Sequence, residues 1–119
     1  MKQLVLLLVL LFALAACQDV AGDPSDTVVK YLQAKVSGDA DTLGQLLCSD
    51  MESNLAREAA SFASVDARLD NVSCTANGDI VTCEGAIVAT YGTEDREFPL
   101  SSYRVVKEDG EWRWCGEAS

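Results

Sequence analysis

The chain has no histidine among its 119 residues. That removes the commonest general base at neutral pH, and with it the usual activator of a serine or cysteine nucleophile. Its cysteines stand far apart and form no Cys-x-x-Cys pair, so the common zinc-binding spacings are absent. No glycine-rich phosphate loop occurs. Basic residues are scarce: nine Lys and Arg face nineteen Asp and Glu, a formal charge of −10. A nucleic-acid binder needs a basic face, so that class falls away. A domain that hugs anionic lipid is disfavoured for the same reason. The acidic residues are scattered, with neither an acidic tail nor the spacing of a calcium loop. Internal repeats and low-complexity runs are missing. So is any apolar run of the roughly 20 residues that a membrane-spanning helix needs.

What is present starts at the N-terminus. Met1 and Lys2 precede an apolar run from Leu4 to Ala16, "LVLLLVLLFALAA". It is too short to span a bilayer comfortably and has no polar face, which suits a core helix of a small domain badly. A short charged start and an apolar stretch have the build of a secretory signal. The run ends Leu14-Ala15-Ala16-Cys17, which resembles the bacterial lipobox: an aliphatic residue, two small residues, then cysteine. The resemblance implies cleavage before Cys17 and lipid on its thiol. Residues 1–16 are then a lipoprotein signal peptide and residues 17–23 a lipidated cysteine with a short tether. An ordinary secretory signal is the alternative. Several acyl chains would hold the protein firmly, since each buried methylene contributes about 0.8 kcal/mol. The expected location is outside the cytoplasm, on a bacterial membrane, facing periplasm or cell exterior. Loss of residues 1–16 takes away Lys2, and the formal charge moves to −11.

Four cysteines remain: Cys48, Cys74, Cys83 and Cys115. An even number in a small exported domain reads as two disulfides. Their pairing depends on where the chain places them.

Residues 24–119 read as one domain. Asp23 and Pro24 open a helix on which Val28, Tyr31, Leu32 and Val36 recur at helical spacing, and Gly38 closes it. Asp39 caps a second helix with Leu43, Leu46 and Leu47 on one side. "SDME", Ser49 to Glu52, has the form of a capping box for a third helix carrying Met51, Leu55, Ala59 and Phe62. Helices this short are marginal alone and need a partner surface. Strand-like stretches supply it: Val65 to Ala76, Ile80 to Tyr91, Glu97 to Lys107 and Glu111 to Cys115. Asn77-Gly78 and Asp109-Gly110 mark hairpin turns between them. The fold expected is α+β, two to three helices on a curved four-stranded antiparallel meander.

Alternation along the strands sets the faces. The first hairpin puts Val72, Cys74 and Ala76 with Cys83. The last puts Tyr103 and Val105 with Trp112 and Trp114. An odd-length loop within Gly92 to Arg96 brings both tryptophans onto the Cys83 face, since one residue of slip flips every side chain. It also makes Glu84 and Arg104 cross-strand neighbours on the outer face. Cys74 and Cys83 face each other across a hairpin and are the preferred first disulfide. Cys48 is then left for Cys115, although this register turns Cys115 outward unless a bulge or the end twist of the strand brings it round. Three pairings are possible.

Two stretches carry a family resemblance. "VVKYLQAKVSGDADTLGQLL", residues 28–47, is similar to the opening helices of the nuclear transport factor 2-like superfamily. "YRVVKEDGEWRWC", residues 103–115, resembles the closing hairpin of that superfamily. The likeness runs over residues 24–116 and implies a cone-shaped α+β domain. It is nearest to small lipoprotein versions of the fold, many without an assigned activity.

Enzymes of that superfamily, such as ketosteroid isomerase and scytalone dehydratase, work through carboxylates, tyrosines or histidines inside the cone. No pair here matches such a motif residue by residue. Tyr31, Tyr91 and Tyr103 are expected in the core or at a pocket rim, and Asp66 and Asp70 at a solvated strand edge near the mouth. Phe62, Trp112 and Trp114 complete a possible pocket for an apolar or sugar-like molecule, or they plug the cone. No cofactor and no metal are expected. The reading is a non-catalytic lipoprotein that binds an envelope protein or a small apolar ligand. The alternatives are an isomerase- or dehydratase-like enzyme, and a structural or immunity-type accessory protein.

Overall fold

The computed structural model describes residues 22–118. The expectations for the signal peptide, for Cys17 and for most of the tether lie outside the described residues.

The first helix, α1, covers Pro24–Ser37. The Asp23 carboxylate accepts a hydrogen bond from the Ser25 N–H at 2.9 Å and satisfies one orphan donor of the first turn. Gly38 ends the helix in the left-handed region, φ 68°, where a side chain would be strained. Helix α2, Ala40–Leu46, is capped by Asp39, which accepts from the Thr42 N–H and Oγ1. The expected third helix is divided. Ser49–Asn54 forms a 3₁₀ helix and Leu55–Ala60 the short helix α3. The capping box at "SDME" does not form. Ser49 instead turns to the other end of the chain, its N–H and Oγ both donating to the Glu108 carboxylate. No side chain then holds the first turn as α-helix, and the segment winds more tightly.

Five antiparallel strands follow: β1 Asp66–Asn77, β2 Ile80–Tyr91, β3 Glu94–Pro99, β4 Ser102–Glu108 and β5 Glu111–Glu117. The sheet runs β1-β2-β4-β5, with β3 on β2 beside β4. Four strands were expected. The stretch read as one strand over Glu97–Lys107 bends at Leu100 and Ser101, and its two halves pair with the two halves of β2. The cause is visible in the register. Ala86 pairs with Pro99 and Thr82 with Ser102, so three residues of β2 face two of its partner. β1 carries a matching irregularity between Asp70 and Ser73. Asn71 and Gly85 both take positive φ here, 52° and 101°. A side chain on Gly85 would put its Cβ 2.5 Å from the Asn71 carbonyl oxygen. Paired bulges of this kind bend a sheet sharply, and this line of bend gives the sheet its curvature.

The same bulge corrects the expected loop. The β2–β3 turn holds only Gly92 and Thr93, an even loop, because Tyr91 pairs with Glu94. Without the bulge, Tyr103 and Val105 would point outward. The extra residue in β2 shifts the parity, Val81 pairs with Tyr103, and the expected inner face is restored. Two smaller expectations fail. The first hairpin turns at Gly78 and Asp79, one residue beyond the Asn77-Gly78 reading. Arg104 pairs with Ile80 and Glu84 with Ser73, so these charges are not neighbours across a strand pair. The last turn, Asp109-Gly110, has the two positive φ values of a tight hairpin turn, 53° and 78°.

Both preferred disulfides are present. Cys74 and Cys83 are directly opposed. Cys48 joins Cys115 across 67 residues of chain. After α2, Leu47 runs parallel to β5 beside Trp114, and the Cys48 N–H donates to the Trp114 carbonyl. A register shift between β4 and β5, with Gly116 at φ 99°, turns Cys115 round to meet it.

The core lies between the helices and the concave face. Val28, Tyr31, Leu32, Leu43 and Leu47 meet Val81, Cys83, Ile87, Tyr103, Val105 and Trp114, all buried. Among the described residues, no helix is long and apolar enough to cross a membrane.

Candidate functional site

An opening of about 320 Å³ remains where the C-terminal half of α1 meets the bend of the sheet. Apolar walls come from Leu32, Phe62, Ile87, Phe98, Pro99 and Leu100. Polar atoms enter through Tyr31, Lys35, Tyr103 and Glu117. The bend builds it: Pro99 and Leu100 stand where β3 gives way to β4. Phe62, just past α3, meets Phe98 edge-on with ring centroids 5.7 Å apart. Phe98 is 39% exposed, a large apolar side chain left open at the rim.

One wall is tightly tied. The Tyr31 hydroxyl donates to Glu58 Oε2 at 2.7 Å and accepts from Lys35 Nζ at 3.3 Å. Lys35 Nζ also lies 3.1 Å from the same Glu58 oxygen. Tyr31 and Lys35 are four residues apart on α1, so they share a face, and Glu58 comes from α3 opposite. Burial raises the Tyr31 pKa far above that of a free phenol, and the hydrogen bond and charge of Glu58 raise it further. Tyr31 is therefore a neutral phenol whose O–H is already hydrogen-bonded to a carboxylate. Behind it the Trp114 indole stacks at 3.9 Å, nearly parallel. Trp114 is buried, and its Nε1–H has no hydrogen-bond partner among the described residues.

The sequence-derived candidates divide. Tyr31, Phe62 and Tyr103 line the opening. Trp114 lies in the core beneath Tyr31 and plugs the cone there. Tyr91 stands at the β2–β3 turn, 38% exposed, with the Arg96 guanidinium over its ring. Trp112 faces a second, larger cleft of about 630 Å³ between the start of α1, the end of α2 and the β4–β5 turn. Tyr91 and Trp112 do not line this opening: Tyr91 is at the β2–β3 turn, and Trp112 sits two residues nearer the β4–β5 turn than Trp114. Asp66 and Asp70 are exposed on β1, where Asp66 pairs with Thr90 and Asp70 with Ala86. Sequence reasoning missed Lys35, Glu58 and Glu117. Lys35 and Glu58 flank the apolar stripes of α1 and α3 with opposite charge, which was the available signal. Nothing local marks Glu117. The bulge at Gly116 and the tertiary fold bring it to the mouth.

Among the described residues no group of three or more His, Cys, Asp or Glu side chains is placed to hold a metal ion.

Helices packed into the hollow of a strongly bent antiparallel sheet define an α+β cone of the nuclear transport factor 2-like kind. A protein from Rhodospirillum rubrum, described as NTF2-like and of unknown function in nutrient uptake, superposes with a TM-score of 0.54. It is 19% identical, and the match covers 82% of this chain and 98% of that one. A de novo β-sheet design solved in solution superposes at 0.51, with 14% identity over 81% of this chain and 92% of the other. No protein-family model matches the sequence, and no curated protein matches it. At these identities the likeness concerns the fold.

Proposed function

We propose that the protein is an exported envelope lipoprotein, anchored through lipid on Cys17, whose cone holds a small apolar ligand without transforming it. The observation that carries the reading is the half-open pocket between Leu32, Phe62, Ile87 and Leu100. At about 320 Å³ it lies at the lower end of the range for small-molecule sites, and its walls are mostly apolar with a few convergent polar groups, as such sites are. The anchor rests on Leu14-Ala15-Ala16-Cys17 after the apolar run, and two disulfides suit an oxidising compartment.

The contact between Tyr31 and Glu58 favours the isomerase- or dehydratase-like alternative, because a carboxylate beside a phenol is a general acid–base arrangement. It is the weaker reading. The Tyr31 O–H already donates a hydrogen bond to Glu58, and Lys35 pairs with the same carboxylate oxygen. Glu58 is not among the residues that line the pocket. No cofactor is needed for binding alone.

Two measurements test the proposal. Cys17→Ala should move the protein from the membrane fraction to the soluble fraction; continued membrane association would overturn the anchor. Titration with benzyl alcohol should shift the amide NMR signals of Leu32, Phe62, Ile87 and Leu100. Shifts centred on Trp112, or none at all, would overturn the pocket.

A further inference from the structure

The charges at the pocket do not balance. Lys35 is neutralised by Glu58, 3.1 Å away, and its ammonium also lies over the Tyr31 ring at 5.7 Å. Glu117 lines the same pocket from the end of β5 and makes no ion pair among the described residues. The three groups therefore leave one uncompensated negative charge at the mouth. Beside it stand aromatic rings: Tyr103, paired along the backbone with Glu117, and the edge-to-face pair Phe62 and Phe98. A ring face attracts a cation, and it repels an anion. The protein as a whole carries a formal charge of −10, which raises the local concentration of cations around it. An anionic ligand gains nothing from Lys35, whose charge is already spent on Glu58.

From this geometry we infer that the pocket selects small organic cations, an ammonium group on an apolar or aromatic body. The ammonium sits against Glu117 at the mouth, among the rings of Tyr103, Phe62 and Phe98. The body lies on Leu32, Ile87 and Leu100. The inference rests on the ligand-binding reading of this pocket and adds the charge of the ligand to it.

A matched set of probes tests it: benzylammonium, benzyl alcohol and benzoate share a body and differ in charge. Calorimetric or NMR titration at low salt should rank benzylammonium first and benzoate last. Because Glu117 is exposed, its contribution is that of a surface pair, and Glu117→Gln should weaken benzylammonium by about fivefold. The same variant should leave benzyl alcohol within about twofold, since that contact involves no net charge. Raising the salt should weaken benzylammonium alone. Tighter binding of benzoate overturns the inference, as does an equal loss for the amine and the alcohol in Glu117→Gln. Binding of benzyl alcohol with no preference for the amine overturns it while leaving the pocket standing. Failure of all three probes to bind overturns both.

Discussion

Single residues decide the curvature of the sheet. Gly85 holds φ at 101°, and a Cβ there would sit 2.5 and 2.6 Å from the carbonyl oxygens of Asn71 and Asp70. Backbone would have to move, which side chains elsewhere could avoid. Gly78 is a useful contrast, with φ of 66° but nothing within 4 Å of the added atom. Gly85→Ala should therefore cost about 2–3 kcal/mol and Gly78→Ala about 1 kcal/mol. In thermal melts of a domain this size, each kcal/mol lowers Tm by about 4–8 °C. Equal losses at the two sites would show that the bulge is not tightly packed. Ionisation gives a second residue-scale expectation. Tyr31 has a raised pKa because it is buried and hydrogen-bonded to Glu58, so the folded state keeps a proton that the unfolded chain releases above about pH 10. Stability should be unaffected by Tyr31 below that value and should fall as pH rises past it. Asp23, Asp39, Asp95 and Glu108 have the opposite sense. Each carboxylate is held below its ordinary value of 3.8 or 4.5 by hydrogen bonds it accepts, from Ser25, Thr42, Thr90 and Ser49 respectively. What they contribute is present above the ordinary carboxylate range and is lost as pH falls through it. Denaturant titrations across pH should show both limbs. Tyr31→Phe should flatten the alkaline limb and leave the acid limb in place.

At the scale of elements, the two disulfides join different kinds of pair. Cys74–Cys83 ties strands already held by a tight turn, at a sequence separation of nine. Cys48–Cys115 ties the helical half to the last strand across a separation of 67 residues. Closing the longer loop restricts the unfolded chain more, by about 4 kcal/mol against about 3 kcal/mol in the chain-entropy account. Cys48 is also fully buried, so its loss leaves unfilled space in the core. The Cys48→Ala/Cys115→Ala double variant should melt below the Cys74→Ala/Cys83→Ala double variant. The reverse order would mean that α2 and β5 are held together mainly by Leu47, Trp114 and their backbone pairing. The helices and their caps at Asp23 and Asp39 were readable because capping is local chemistry. The third helix was misread because its supposed cap, Ser49, has a partner 59 residues away in Glu108. The single strand expected over Glu97–Lys107 was misread for a related reason. Its break depends on Gly85 of a neighbouring strand, and no pattern within Glu97–Lys107 reports on that residue.

At the scale of the whole molecule, α1 sets two ends. Fourteen residues make a helix about 21 Å long. Its N-terminal half lines the cleft that holds Trp112, beside the point where the tether enters the domain. Its C-terminal half, from Tyr31 to Lys35, lines the candidate pocket. If Cys17 is lipidated as proposed, a tether of roughly 20 Å at most would leave the Trp112 cleft, at the end of α1 where the tether enters, nearer the lipid than the pocket. Asp23, Asp26, Asp109 and Glu111 around that cleft would keep the domain off an anionic surface. Benzyl alcohol should then bind the lipidated protein in phosphatidylglycerol-containing vesicles within about twofold of its affinity for soluble Cys17→Ala. A tenfold or greater loss on anchoring would place the pocket against the membrane.

Sequence alone determined what depends on neighbouring residues or on composition: the helix caps at Asp23 and Asp39, the hairpin turn at Asp109-Gly110, the excess of acidic residues and the α+β class. It also picked Tyr31, Phe62 and Tyr103, because large apolar side chains on inward faces must line whatever hollow the cone leaves. Tertiary structure decided the rest. Only packing showed that Trp114 plugs the core while Trp112 turns to another cleft, and that Glu58 accepts the Tyr31 hydrogen bond and pairs with Lys35. The face that Trp114 takes hangs on a bulge at Gly85, and the placing of Cys115 and Glu117 on another at Gly116. A one-residue insertion in a strand changes which side chains meet, and the residues it brings together lie far apart along the chain.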